Sequence, residues 1–304
     1  MYLSSITANV LNKFNNQQIN ILYEPQYNLF DILLSQCGLN LFIPKNDRFV
    51  NLLSSNITAL NEDQYNLFNY NVGITNNIIG YSSQKKYDAF HLNTIIFTHS
   101  YKPTAIKKED LVLLNNNIRN TYKIFFESGS RDSWKLNNSA LINYGISLDK
   151  FYPMNEDRSS RVLILNFDRN PNISTLVEFL EKHDIGVDIV QEISGDVELI
   201  TELFNKYKVC IDLSDYNISN LLVCIACGCK AITYATPMIM ENYSSTPNLY
   251  TATTVQDLIS AINKALLAET IDHTEFYKKH YNFDEFSNRI NNIVKDSNNR
   301  AFIL

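Results

Sequence analysis

Arg161-Val162-Leu163-Ile164-Leu165-Asn166-Phe167-Asp168 opens the most regular stretch of the sequence. Its apolar residues run almost unbroken, as expected of a strand covered on both faces, where neither side meets water. Residues 172–183 follow with Leu176, Phe179 and Leu180 at helical spacing. Then come VDIVQEI (187–193), a second strand, and residues 197–207, a helix with Leu199, Ile200 and Leu203 on one face. KVCIDL (208–213) is a third strand, residues 217–227 a short apolar helix stopped by Gly228, and KAITY (230–234) a fourth strand. Strands that alternate with helices are joined by right-handed crossovers, which predicts an α/β domain with a parallel sheet.

Toward the N-terminus the pattern loosens. Strands are predicted at INILYE from Ile19, LNLFIP from Leu39, NTIIFTHS from Asn93, YKIFFES from Tyr122 and ALINYG from Ala140. Helical spacing appears in YNLFDILLSQC from Tyr27 and IKKEDLVLLNNNI from Ile106, while residues 44–80 carry little pattern. Residues 145–155 (GISLDKFYPMN) gather Gly, Pro and Asn between two periodic regions and are assigned as the linker. In the tail, residues 276–294 form two successive helices broken at Tyr281-Asn282-Phe283-Asp284, with Asp284 as a candidate cap of the second. The resulting division is a first Rossmann-like domain over 1–150, a second over 151–284 and a terminal helix within 285–304.

A chain of 304 residues is long for one core and comfortable for two. With 45% hydrophobic and 19% charged residues it has the profile of a globular protein and not of a disordered or coiled-coil one. A net charge of −6 without a Lys/Arg block lacks the footprint of an autonomous duplex DNA binder. No apolar run spans a bilayer and the first residues lack signal-peptide order, so a cytoplasmic protein is expected. Of five cysteines, Cys210, Cys224, Cys227 and Cys229 are crowded together. Three closely spaced thiols without a neighbouring His fit buried small side chains better than a metal site.

In an open parallel sheet, ligands bind at the carboxyl ends of the strands, beside helix N-termini with unpaired N–H groups. The third strand of the second domain ends in Ser214-Asp215-Tyr216-Asn217-Ile218-Ser219-Asn220, a polar turn that opens a helix. Its hydroxyl, amide and backbone donors suit a diphosphate and the Asp215 carboxylate suits sugar hydroxyls; alternatively Asn217 or Ser219 simply caps the helix. Arg169, just past the first strand, suits bidentate phosphate binding or is an ordinary surface residue. In the first domain, His99 ends a strand as a candidate sugar contact, proton shuttle or structural His. Phe126-Glu127 there gives way to Ser128-Gly129-Ser130, small residues that let a ligand or the other domain approach closely.

Taken in order, the strand ending in His99, FFESGSRDSW (125–134), INYGISLDKFYP (142–153) and Ala226-Cys227-Gly228 with Lys230-Ala231-Ile232 resemble the GT-B glycosyltransferases of the retaining family 4 type. The resemblance covers residues 93 to 294. It implies two Rossmann-like domains facing each other across a cleft, with a C-terminal helix crossing back to the first. It also implies metal-independent, retaining transfer of a sugar from a nucleotide-diphosphate donor, the only co-substrate, to an acceptor that the sequence does not identify. His99, Asp215 and Arg169 take catalytic places; Ser214, Asn217, Ile218, Ser219 and Asn220 take donor-binding ones. Two departures stand out: Val223 occupies the place of the family's second carboxylate, and Ser174 the place of a Lys. They keep open a degenerate member that binds a nucleotide, glycan or partner without turnover. A phage-type enzyme that glycosylates nucleic-acid bases is a further alternative.

Overall fold

The computed structural model describes residues 19–25, 29–45, 56–76, 92–99, 102–103, 105–118, 121–154, 157–167, 173–192, 196–214 and 218–299. They form two parallel α/β sheets. The first contains β1 (Asn20–Tyr23), β2 (Asn40–Pro44), β3 (Ile57–Leu60), β4 (Val72–Thr75), β5 (Asn93–Thr98), β6 (Tyr122–Phe125) and β7 (Ser139–Leu141), in the order β3-β2-β1-β4-β5-β6-β7. The second contains β8 (Ser159–Leu165), β9 (Val187–Val190), β10 (Tyr207–Asp212), β11 (Lys230–Tyr234) and β12 (Leu249–Ala252), in the order β12-β11-β10-β8-β9. In each sheet the strand order reverses once, between β1 and β4 and between β8 and β10. At such reversals the flanking helices diverge and leave a crevice.

The strands predicted in the second half are present, β8 with four successive buried residues from Val162 to Leu165. Helix α1 (Leu29–Gln36) follows β1, α2 (Lys108–Asn117) follows β5, and α3 (Ser128–Trp134) follows β6. In the second sheet α4 (Ile173–Glu181), α5 (Val197–Asn205) and α6 (Ile218–Ala226) follow β8, β9 and β10. After β11 come α7 (Pro237–Asn242) and, beyond β12, α8 (Val255–Leu267), two helices additional to those expected from the sequence.

Ala226-Cys227-Gly228 ends α6 in a Schellman turn: Gly228 N–H donates to Ile225 O at 2.8 Å and Cys229 N–H to Cys224 O at 3.0 Å. This turn requires a left-handed residue, and Gly228 has φ +88°. A Cβ there would also lie 2.7 Å from Arg158 Nη2, whose guanidinium reaches Cys227 O at 2.7 Å. The four crowded cysteines are buried, with Cys224 Sγ 3.3 Å from Cys210 Sγ, and burial pushes the Cys227 thiol up to about 12.

The tail forms α9 (Thr274–His280) and α10 (Phe283–Asn299). The break is where the sequence placed it, but the cap is Asn282, whose Oδ1 accepts from Glu285 N–H at 3.0 Å. Asp284 instead lies within the first turn, where its charge favours the helix dipole. Helix α10 crosses back to β4 and β5, with Phe286, Ile290, Ile293 and Val294 buried and Asn93 Nδ2 donating to Ser297 O at 2.7 Å. The two halves also touch through the helices that leave their strand ends, α1 against α6 and α3 against α7. The carboxyl edges of both sheets therefore turn toward each other. No helix among the described residues is long and apolar enough to cross a membrane.

Candidate functional site

A cavity of about 540 Å³ opens at the strand-order reversal of the second sheet. Asn166 and Phe167 past β8, Asp212 to Ser214 at the end of β10 and Tyr234 ending β11 form one side. Ile173, Thr175, Leu176 and Phe179 of α4 form another, with Val255 at the start of α8. The cavity exists because α4 and α6 leave adjacent strands on diverging paths. Its walls combine apolar and aromatic side chains with a few polar groups at strand ends, and its volume lies within the roughly 300–1,000 Å³ usual for small-molecule sites. Among the described residues its lining carries one carboxylate, Asp212, and neither Lys nor Arg.

The residues singled out from sequence in the second half separate into three groups. Ser214 lines the cavity. Ile218, Ser219 and Asn220 form the first turn of α6 and are all buried, so Ser219 is inside the helix and not its cap. Asp215, Asn217 and Arg169 lie outside the described residues. Asn220, expected to contact a donor, spends its amide elsewhere: Nδ2 donates to Asp212 Oδ2 at 2.7 Å and Oδ1 accepts from Leu29 N–H, at the start of α1, at 3.3 Å. Asp212 also accepts from Ser214 N–H at 2.9 Å and from the Ser214 hydroxyl. It therefore fixes the turn that borders the cavity. Sequence reading missed Asp212 although it ends a buried strand, the position at which a carboxylate is most informative.

His99 does not stand open to a cleft. It is 5% exposed, stacked on Phe126 with centroids 4.6 Å apart, with Nδ1 2.7 Å from Tyr144 Oη and Nε2 3.4 Å from Asn76 Oδ1. Burial lowers its pKa to about 3, so the ring is neutral. Asn76 Nδ2 in turn donates to Tyr23 Oη and to Glu24 O, both at 3.0 Å. The ring thus ties β5 to the reversal point of the first sheet. Val223, where the resemblance calls for a second carboxylate, is fully buried in the main apolar cluster, and Ser174 is exposed in the first turn of α4.

No protein-family model and no curated protein matches the chain. Solved structures do. Sucrose-phosphate synthase from Thermosynechococcus elongatus is 14% identical with a TM-score of 0.62, the similarity covering 92% of this chain and 99% of that one. HepE of Anabaena, solved with UDP and glucose, is 11% identical with a TM-score of 0.64 over 91% and 100%. The trehalose-6-phosphate synthase OtsA is 8% identical with a TM-score of 0.55 over 94% and 100%.

The fold is GT-B. Within GT-B, two Rossmann-like units turn their strand ends toward one another, as the contacts of α1 with α6 and of α3 with α7 do here.

Proposed function

We propose that the chain is a glycosyltransferase that takes its sugar from a nucleotide diphosphate and holds the nucleotide in the cavity between the ends of β8 and β10. The supporting observation is that cavity, at the one reversal point of the second sheet, in a fold whose similar structures include one solved with UDP and glucose. Phe167, Phe179 and Tyr234 supply apolar surface for a base, and the strand-end turn supplies polar contacts. Helix α6 begins shortly after Ser214, so its unpaired N–H groups and dipole favour the charge that builds up on a leaving diphosphate. Arg169 adds a cation in this scheme and Asp215 orients the sugar. Closure of the two halves excludes water, and transfer proceeds with retention and without a metal.

Calorimetric titration of the full chain with UDP, GDP and ADP should give saturable binding of one of them. Thr175→Trp, an exposed position on the cavity wall, should weaken it about tenfold or more by filling the space. Sugar transfer should persist in EDTA and fall in Asp215→Ala. Nucleotide binding that is indifferent to Thr175→Trp would overturn the placement. The burial of Val223 favours one second reading, a GT-B protein that binds the donor without turnover. Under that reading the nucleotide binds but a nucleotide sugar stays intact on prolonged incubation.

A further inference from the structure

The second sheet ends at β12, and no strand among the described residues pairs with its outer side. Asn248 O and Ala252 O accept from Ala231 and Ala235 N–H at 2.9 Å each, so the even-numbered residues face β11 and Thr251 turns its N–H and C=O the other way. The opposite edge of the sheet, β9, carries charge on the strand itself, Asp188 bound to Arg161 at 2.8 Å, a common guard against edge pairing. β12 (LYTA) has neither a charge nor a proline. A groove of about 520 Å³ runs along it, walled by the strand on one side and by Asp257, Ser260, Ala261 and Lys264 of α8 on the other.

Those four helical residues recur at i, i+3, i+4 and i+7, with the charges at the ends of one face and small side chains between them. Such a face complements itself when turned by 180°: Asp257 falls opposite Lys264, and Ser260 opposite Ala261. Asp257 takes its two cap hydrogen bonds, from Thr253 and Thr254, on Oδ2 and neither on Oδ1, and Lys264 forms no ion pair among the described residues. The strand has the same symmetry, because a residue whose N–H and C=O both point outward pairs with its own copy in an antiparallel ladder. The two centres also lie at one level. Thr251 is about two strand residues, ~7 Å, before the turn into α8, and the midpoint of Asp257 and Lys264 is about five helical residues, ~8 Å, after it. Beyond Lys264, Leu267 is 88% exposed, and the first turn of a second α8 would cover it. We infer that two copies of the chain associate edge to edge, β12 antiparallel to β12 about a two-fold axis through Thr251, with Asp257 of each α8 against Lys264 of the other.

The full chain is followed by sedimentation velocity across micromolar concentrations. It should pass from the 35.0 kDa monomer to a species of twice that mass. Lys264→Glu sets Glu against Asp and Asp257→Lys sets Lys against Lys, so each alone should weaken association about tenfold or more. An equimolar mixture of these two variants restores both opposite-charge pairs and should form a heterodimer. Thr251→Pro removes the outward N–H while leaving the ladder to β11 in place, and should weaken association to a similar degree. Lys264→Glu, at an exposed position, covers the case in which Thr251→Pro fails to fold. The proposal is overturned if the chain stays monomeric at every concentration, or if the dimer is indifferent to Lys264→Glu or to a folded Thr251→Pro. It is overturned equally if the two charge variants, each shown to be folded by circular dichroism, do not associate with one another.

Discussion

His99 and Glu127 flank one aromatic stack, Phe126 lying against His99 and 4.4 Å from Tyr144 at 16°. Burial keeps both neutral, with pKa values of about 3 and about 8 against ordinary values of 6.5 and 4.5. Their effects on stability run in opposite directions. Below pH 6.5 the unfolded chain binds a proton that folded His99 refuses, so its contribution is lost as pH falls from 6.5 toward 3. Folded Glu127 keeps a proton that the unfolded chain releases above 4.5, so its contribution is complete below 4.5 and declines as pH rises through 8. His99→Phe should therefore flatten the acid side of a plot of urea midpoint against pH, and Glu127→Gln the alkaline side. An acid side unchanged by His99→Phe would show that the ring is not held neutral. Neither environment was legible in the sequence, because a His or Glu at a strand end reads the same whether the facing domain covers it or leaves it in water. Gly228 was legible, since a glycine that stops an apolar helix has a local cause.

Elements were legible in proportion to how local their causes are. β8, β10 and β11 are buried on both faces and declare themselves as apolar runs, whereas β3 and β4 are four residues each, β4 with a glycine, and give no periodicity to detect. Helix α8 was detectable from its capping box, Thr254 Oγ1 accepting from Asp257 N–H at 3.1 Å, followed by Leu258, Ile259 and Ile262. The cap of α10 was misplaced by two positions because Asn and Asp are equally good caps and the sequence offers both. This helix meets the linker at Gly145, where an added Cβ would lie 2.3 Å from Phe286 Cβ and 2.9 Å from Phe283 Cα. Both obstacles are close to the α10 backbone, so no side-chain rotation relieves them. Gly145→Ala should push the helix away from β4 and β5 and cost about 1–3 kcal/mol in urea unfolding, the usual range for overpacking. Amide exchange should quicken along 283–299 more than in α8.

At the scale of the molecule, Asn220 joins the two halves. It connects the buried Asp212 carboxyl group at the end of β10 to the first N–H of α1, so one amide satisfies an acceptor in one half and a helix N-terminal donor in the other. The sequence identified this turn as important but assigned its polar atoms to a ligand, because the partner Leu29 is 191 positions away. Two substitutions separate the links. Asn220→Ala removes both and leaves two buried groups short of a partner, at about 1–3 kcal/mol each and more for the carboxylate. Asn220→Asp keeps the acceptor for Leu29 N–H but sets a second carboxylate against Asp212, and like charges at that distance cannot both stay ionised. Both variants should unfold at lower urea concentration than wild type at pH 8. Asn220→Asp should recover further than Asn220→Ala as pH is lowered, because one protonated carboxyl then donates to the other as the amide does. Small-angle scattering at pH 8 should show a larger radius of gyration for both variants. An unchanged radius together with lost stability would mean that the apolar surface shared by α1 and α6 holds the halves together unaided, and that Asn220 serves only to neutralise the cost of burying Asp212.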